Sequence, residues 1–186
     1  IICLIMDIET ELTPNPETLK FIVDKKFIFQ HGIEIKNEKE AKQYKFIKNF
    51  FEVKGIKSIF IGENFFAVTK EKNITWSLLK TKILTFILDS ISSNKVLIEK
   101  KTKSKEIKKT KDKISIKIEK IIDEKVRPAV ARDGGDIIFE SFDKGIVYLK
   151  LKGACSGCPS STATLKDGIE NLLTHYFPEV KEVRAI

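Results

Sequence analysis

The chain of 186 residues has few cysteines, few arginines and no long apolar run, and each shortage excludes a class of protein. Three cysteines cannot form a dense disulfide framework, which excludes a small secreted disulfide-rich domain. No apolar segment approaches the ~18–20 residues that a membrane-spanning helix needs, so we expect no membrane association. Only three arginines are present, although arginine is the usual residue for bidentate contacts with phosphate or guanine.

Positive charge is in excess, with a formal net charge of +8, but it is concentrated in one stretch. Residues 99–113 contain eight lysines against three acidic residues, which accounts for most of the excess. A run of lysines with little apolar content is typical of a solvated linker. We therefore expect no nucleic-acid partner.

The N-terminal residues 1–5 are apolar, but they are short and carry no basic flank, so they do not resemble a signal peptide. Met6 is the only methionine, and with translation starting there Cys3 would be absent from the mature protein. We expect a reducing compartment, namely the cytoplasm of a bacterium, with the mitochondrial matrix as the alternative.

The composition divides the chain into two small domains of α+β class. We predict an N-terminal domain at residues 1–94, a lysine-rich linker at 95–113 and a C-terminal domain at 114–186. In the N-terminal part the patterns predict a strand at 19–23, a helix at 41–53, a hairpin at 56–61 and 65–69, and a helix after Thr75. His31 is expected to be structural.

In the C-terminal part the residue pattern predicts the order helix, strand, strand, cysteine loop, helix, strand. An amphipathic helix starts at Ile114 and should end or bend at Pro128. Strands are predicted at 137–142 and 146–152, around a turn at 143–145. After the cysteine loop, a helix begins at Pro159 and ends before Pro178, with Tyr176 on its buried face, and residues 180–186 return as a strand.

The cysteine loop has the sequence Gly-Ala-Cys-Ser-Gly-Cys-Pro-Ser-Ser at residues 153–161, which spaces Cys155 and Cys158 as Cys-x-x-Cys. Two thiolates at this spacing can bind one metal centre, but zinc and iron–sulfur centres usually take four ligands. The predicted helix N-terminus at Cys158 favours a thiolate. Nearby lysines add positive charge, and the glycines and serines indicate an exposed loop; the lysines are Lys150, Lys152 and Lys166.

Four interpretations of the pair remain open from the residues alone. A structural zinc site needs two more ligands, and only Cys3, His31 and His175 are available, the last about 25 Å away along a helix. A thioredoxin-like site would follow the strand of a βαβ unit, whereas a hairpin precedes this loop. An inert buried pair is the third interpretation. A metal centre shared by two copies of the chain, each supplying Cys155 and Cys158, is the one we favour.

The segment Arg-Pro-Ala-Val-Ala-Arg-Asp-Gly-Gly-Asp at residues 127–136, together with residues 151–166 around the cysteines, resembles the NifU-like C-terminal domain. Residues 13–21, 62–70 and 76–80 resemble the Nfu N-terminal domain. The resemblance covers most of the chain except the lysine linker. It departs from the family pattern around residues 41–50.

The resemblance implies an iron–sulfur scaffold or carrier, not an enzyme. Cys155 and Cys158 would ligate a [4Fe–4S] cluster held between the two protomers of a homodimer. A donor scaffold would supply the cluster, and apo iron–sulfur acceptor proteins would receive it. We further expect the N-terminal domain and the lysine linker to select or hold the acceptor. The alternative is a thiol–disulfide or sulfur-carrier protein that uses the same cysteines.

Overall fold

Two β-sheets, each packed against its own helices, organise the chain. The computed structural model describes residues 8–24, 32–44, 47, 50–92, 112–156 and 159–186, with the backbone alone at 90–92 and 159–161. The predicted α+β class is confirmed. Most of the predicted linker lies outside the described residues, as do Cys3, His31 and Cys158. The predicted domain boundaries therefore stay predictions.

The N-terminal sheet has five strands in the order β1-β2-β5-β4-β3, and every neighbouring pair is antiparallel. The strands are β1 (Ile8–Leu12), β2 (Thr18–Val23), β3 (Ile33–Ile35), β4 (Ile56–Ile61) and β5 (Phe65–Lys70). The predicted strand at 19–23 and the hairpin around residues 62–64 are confirmed as β2, β4 and β5. The edge strands β1 and β3 were not predicted, because each is short and carries glutamates.

One face of this sheet forms a core with helix α2 (Trp76–Ser92), whose buried side chains recur at helical spacing. Leu79, Ile83 and Ile87 are each no more than 2 % exposed, which confirms the predicted helix face. The central strand β5 is buried at all six positions, so the sheet is covered on both faces. The second face packs against the C-terminal domain.

The predicted helix at 41–53 is wrong in the residues that the structure describes. A short helix, α1 (Glu38–Ala41), precedes this stretch, and a 3₁₀ turn spans Phe50–Glu52; residues 45, 46, 48 and 49 lie outside the described part. The backbone bonds connect residues three apart, from Tyr44 N to Ala41 O at 2.9 Å and from Phe50 N to Ile47 O at 2.9 Å. Apolar residues three apart suit such tight turns as well as an α-helix, because side chains at that spacing eclipse in 3₁₀ geometry.

In the C-terminal domain, α3 (Lys113–Ile121), a π-helical turn (Ile122–Val126) and α4 (Arg127–Arg132) follow one another directly. The helix was predicted to end or bend at Pro128. The regular α-helix α3 instead ends at Ile121, before the proline, and a new helix, α4, begins at Arg127 with Pro128 in its first turn. Proline lacks an N–H group and its ring clashes with the carbonyl four residues before, so an uninterrupted α-helix would be costly here. The π-helical turn directly before α4 changes the bonding pattern at this point and lets the chain continue in helical conformation.

The second sheet has the order β6-β7-β8, with β6 (Gly135–Asp143), β7 (Ile146–Gly153) and β8 (Glu182–Ala185). Lys144 and Gly145 have φ of 49° and 87°, as a two-residue hairpin turn of type I′ requires. Helix α5 (Pro159–Tyr176) connects β7 to β8, which pairs parallel to β7. Tyr176 is 44 % exposed, so its predicted place on the buried face is wrong. In the described part of the chain, no helix is both long and apolar enough to span a membrane.

Candidate metal centre

The first predicted ligand, Cys155, lies in the loop that joins β7 to α5. Gly153 ends β7 with φ of 67°, and a Cβ atom there would lie 2.5 Å from the carbonyl oxygen of Gly134. Only glycine combines this left-handed backbone with so close an approach. Thr162 Oγ1 donates a hydrogen bond to Cys155 O at 3.0 Å, which connects the loop to the first turns of α5. Cys158 lies outside the described residues.

Cys155 is buried in the C-terminal core and is only 6 % exposed. Its side chain packs onto the beginning of β6, where a Cβ atom added to Gly135 would lie 2.8 Å from Cys155 Sγ. The prediction that the whole loop is exposed is therefore wrong at this residue. The sequence pattern misled because glycine and serine, which are frequent in exposed loops, here allow two backbone segments to approach each other closely.

The surroundings of Cys155 favour the thiol over the thiolate. Burial raises the pKa of Cys155 to about 12, and the negative charges of Asp133 and Asp136 act in the same direction. The three lysines do not supply the expected positive field in this conformation. Lys150 is exposed, Lys166 pairs with Glu170 at 3.6 Å, and Lys152 Nζ donates to Gly32 O at 3.0 Å. Burial also lowers the pKa of Lys152.

The N-terminal domain contacts the cysteine loop directly, a feature that the sequence analysis missed. Glu34 Oε1, on β3, accepts hydrogen bonds from Gly153 N at 3.2 Å and from Ser156 Oγ at 2.8 Å. Asn15 Nδ2, in the turn between β1 and β2, is 3.4 Å from Ala154 O. Three of the four residues from 153 to 156 are thus hydrogen-bonded to the other domain.

Further contacts between the domains surround this loop. Lys20 Nζ donates to Arg132 O at 3.1 Å, and Gly32 N donates to Asp136 Oδ2 at 3.3 Å. An apolar cluster of Phe60, Phe65 and Ala67 packs against Ala131 of α4. One signal could have predicted this second buried face: residues 65–68 are apolar without alternation, as in strands that are covered on both sides.

A largely apolar cavity of about 530 Å³ adjoins the cysteine loop between α4 and α5. Cys155 and Ala154 line it, together with Val126 and Ala129 on one side and Leu165 and Ile169 on the other. Cys155 contributes to the wall of this cavity, although its side chain is only 6 % exposed.

Within the ranges described, no group of three or more His, Cys, Asp or Glu side chains is placed to hold a metal ion. His175 lies near the C-terminal end of α5, where its ring contacts Tyr176 edge-on at 5.5 Å between centroids. It is thus far from the cysteine loop at the other end of that helix. Because an α-helix rises about 1.5 Å per residue, His175 is roughly 25 Å along α5 from the loop, too far to share a zinc ion with Cys155 in one chain.

Comparison with known proteins matches both halves of the chain to family models. Residues 8–94 match the model described as the N-terminal domain of scaffold protein Nfu/NifU, and residues 118–184 match the NifU-like domain. The human mitochondrial NFU1 iron–sulfur cluster scaffold homolog is 39% identical over 183 residues, which cover 97% of this chain and 72% of the human protein. The homolog of the same name from Drosophila willistoni is 36% identical over 192 residues, covering 97% of this chain and 64% of that protein.

Among solved structures, a NifU-like protein from Saccharomyces cerevisiae, determined in solution, matches 51% of this chain and 87% of its own. Its sequence identity is 24% and the TM-score is 0.46. The present chain spans 72% of the length of the human NFU1 homolog and 64% of that of the Drosophila willistoni homolog.

Proposed function

Because this chain belongs to the Nfu family of iron–sulfur cluster scaffold proteins, we propose that it holds a [4Fe–4S] cluster between two protomers and transfers it to apo-proteins. Cys155 and Cys158 of each protomer are the ligands in this proposal. The observation that carries it is the Cys-x-x-Cys loop within the matched NifU-like domain. A cluster of this kind takes four thiolates, and two copies of the loop supply four.

The rest of the chain supports a shared centre over a centre in one chain. The whole sequence contains one further cysteine, Cys3, and two histidines. His175 is at the far end of α5, and Cys3 is the only other thiol that a single chain could offer. A two-fold axis close to the cysteine loop would bring two identical pairs together without any other ligand.

In this proposal the cluster is cargo, and its transfer is an exchange of ligands. A thiol of the acceptor loses its proton and forms an Fe–S bond, while the bond from iron to Cys155 or Cys158 breaks. The released thiolate takes up a proton, so charge and atoms balance and no oxidation state changes. No catalytic acid, base or nucleophile is required, and the proposal includes no enzymatic step.

The proposed partners are therefore a donor that delivers the cluster, a second copy of the chain, and apo iron–sulfur proteins with free thiols. The NFU1 relatives are named as mitochondrial proteins. They favour the mitochondrial matrix, and we propose this location instead of the bacterial cytoplasm. Recovery of the chain with matrix markers on cell fractionation would support it, and recovery with cytosolic markers alone would contradict it.

Anaerobic reconstitution with ferrous iron and sulfide tests the function. We expect a brown protein that elutes as a dimer and contains about four iron atoms per pair of chains. Cys155→Ser and Cys158→Ser should each abolish the cluster, whereas the matched control Cys3→Ser should retain it. A protein that remains colourless but reduces disulfides would contradict the scaffold and support the thiol–disulfide alternative.

A further inference from the structure

We propose that Glu34 is a positioning residue that holds residues 153–156 of the cysteine loop against the N-terminal domain, and that this segment must leave Glu34 before a cluster is bound. This inference rests on the proposed function, because it concerns access to the same cysteines. It gives the N-terminal domain a part in controlling the loop, in addition to any contact with acceptors.

The first argument is the position of the Glu34 carboxylate. The side chain of Glu34 is only 8 % exposed, although it lies on the short edge strand β3. Its Oε1 atom accepts two hydrogen bonds from the loop, from Gly153 N and Ser156 Oγ, while Oε2 pairs with Lys36 Nζ at 3.1 Å. Hydrogen bonds to an ionised acceptor are about twice as strong as neutral ones. We call the two bonds from the loop to Glu34 Oε1 the Glu34 contact.

The second argument is that the closed loop does not present Cys155 to another chain. Cys155 is 6 % exposed, and its sulfur packs against Gly135 at the beginning of β6. Sharing a cluster with a partner chain requires this sulfur to move to the surface. The Glu34 contact involves residues on both sides of Cys155, and Asn15 holds the carbonyl of Ala154 between them. The loop cannot turn Cys155 outward without breaking these bonds.

The third argument concerns the hydrogen-bond donors of the loop. Hydrogen bonds to the sulfurs are among the factors that tune iron–sulfur clusters, and the closed loop directs two of its donors to Glu34 instead. Opening the loop would therefore release an N–H and an O–H group beside Cys155.

The reactivity of Cys155 in the cluster-free protein tests the inference without depending on cluster transfer. In the full chain carrying Cys3→Ser and Cys158→Ser, Cys155 is the only thiol, and its alkylation is followed by intact mass. We expect Glu34→Ala to accelerate alkylation about ten-fold, the factor that ~1.4 kcal/mol represents at 25 °C. The matched control is Glu38→Ala, on α1 of the same domain, where an exposed glutamate pairs with Lys42. The control should leave the rate unchanged.

Two further variants separate a positioning role from general loss of stability. Glu34→Gln keeps an acceptor oxygen at the same place and should restore most of the slow rate. In the chain with all cysteines intact, Glu34→Ala should also take up iron and sulfide faster than the parent chain. A residue that only stabilised the fold would slow uptake when removed, so the direction of this change distinguishes the two roles.

Equal alkylation rates in the parent, Glu34→Ala and Glu38→Ala proteins would overturn the inference, whatever the iron content of the reconstituted protein. If Glu34→Ala does not fold, Ser156→Ala removes one of the two bonds instead, and an unchanged rate in that variant would overturn it equally. Failure of the parent chain to bind a cluster would contradict the proposed function, but it would not alter these rates. The two failures are therefore distinguishable.

Discussion

Replacing Gly135 by alanine tests whether Cys155 is packed as tightly as the structure shows. Gly135 begins β6 and pairs with Gly153, the last residue of β7. The new Cβ atom would lie 2.6 Å from the carbonyl oxygen of Lys152 and 2.8 Å from Cys155 Sγ. The carbonyl belongs to β7, where Lys152 pairs with Asp136 of β6, so we expect the sulfur and its loop to move instead.

The expected cost follows from overpacking. Forcing an extra methyl group into a well-packed site typically costs ~1–3 kcal/mol, and two contacts below 3 Å place this substitution near ~2 kcal/mol of unfolding free energy. The displaced sulfur should also become more reactive. Gly168→Ala is the matched control, because a Cβ atom there has no neighbour within 4 Å and the residue lies inside α5. Alanine in a helix interior is favoured over glycine by ~0.5–1 kcal/mol, so the control should gain stability.

Urea unfolding followed by far-UV circular dichroism gives the two free-energy changes, and alkylation of the native protein gives the reactivity of Cys155. We expect opposite signs for the two substitutions, with faster alkylation only in Gly135→Ala. The tight packing of Cys155 against β6 would be refuted by a Gly135→Ala protein with unchanged stability and an unchanged alkylation rate.

Two further predictions concern charge. Asp136 is 5 % exposed, and its carboxylate accepts a hydrogen bond from Arg127 Nη1 at 2.7 Å. We expect Asp136→Ala to lower the free energy of unfolding by about 2–3 kcal/mol. Asp123 pairs with the same arginine but is half-exposed, so Asp123→Ala should lower it by less than about 1 kcal/mol. Similar urea midpoints for the two variants would contradict this difference. The pKa of Cys155 is raised to about 12 in the folded protein, so the folded state keeps a thiol proton that the unfolded state loses above about pH 8.5. The contribution of this thiol to the free energy of unfolding is therefore complete below that pH and declines as the pH rises. Between pH 7 and pH 10 the parent should lose ~2 kcal/mol relative to Cys155→Ala, and parallel pH profiles of the two proteins would show that the thiol is not buried as described.

Secondary structure could be predicted where local pattern and burial agree. The hairpin of β6 and β7 has alternating apolar residues around a turn that requires Gly145 to adopt a positive φ, and both features are visible in the sequence. The predicted helix at 41–53 was wrong because an apolar repeat of three suits a chain of tight turns as well as a helix. The strand β3 was missed because its partner β4 is far away in sequence, with Ile33 opposite Ile61. The strand β1 pairs with the neighbouring β2 and was missed because it is short and carries glutamates.

The candidate site likewise has features that the sequence predicts and features that depend on the tertiary structure. The residue types, the Cys-x-x-Cys spacing and the family are properties of contiguous segments, so the sequence alone determined which chemistry to expect. The burial of Cys155 depends on how closely β6 approaches the loop, which only the paired glycines in the folded sheet establish.

The contact from Glu34 to Gly153 joins residues 119 positions apart, and nothing in either segment specifies the other. The tertiary structure alone decided that the N-terminal domain contacts residues 153–156 of the cysteine loop. The physical reason is that hydrogen bonds and burial between distant segments depend on the packing of whole sheets, whereas turns, helix faces and ligand spacing depend on neighbouring residues.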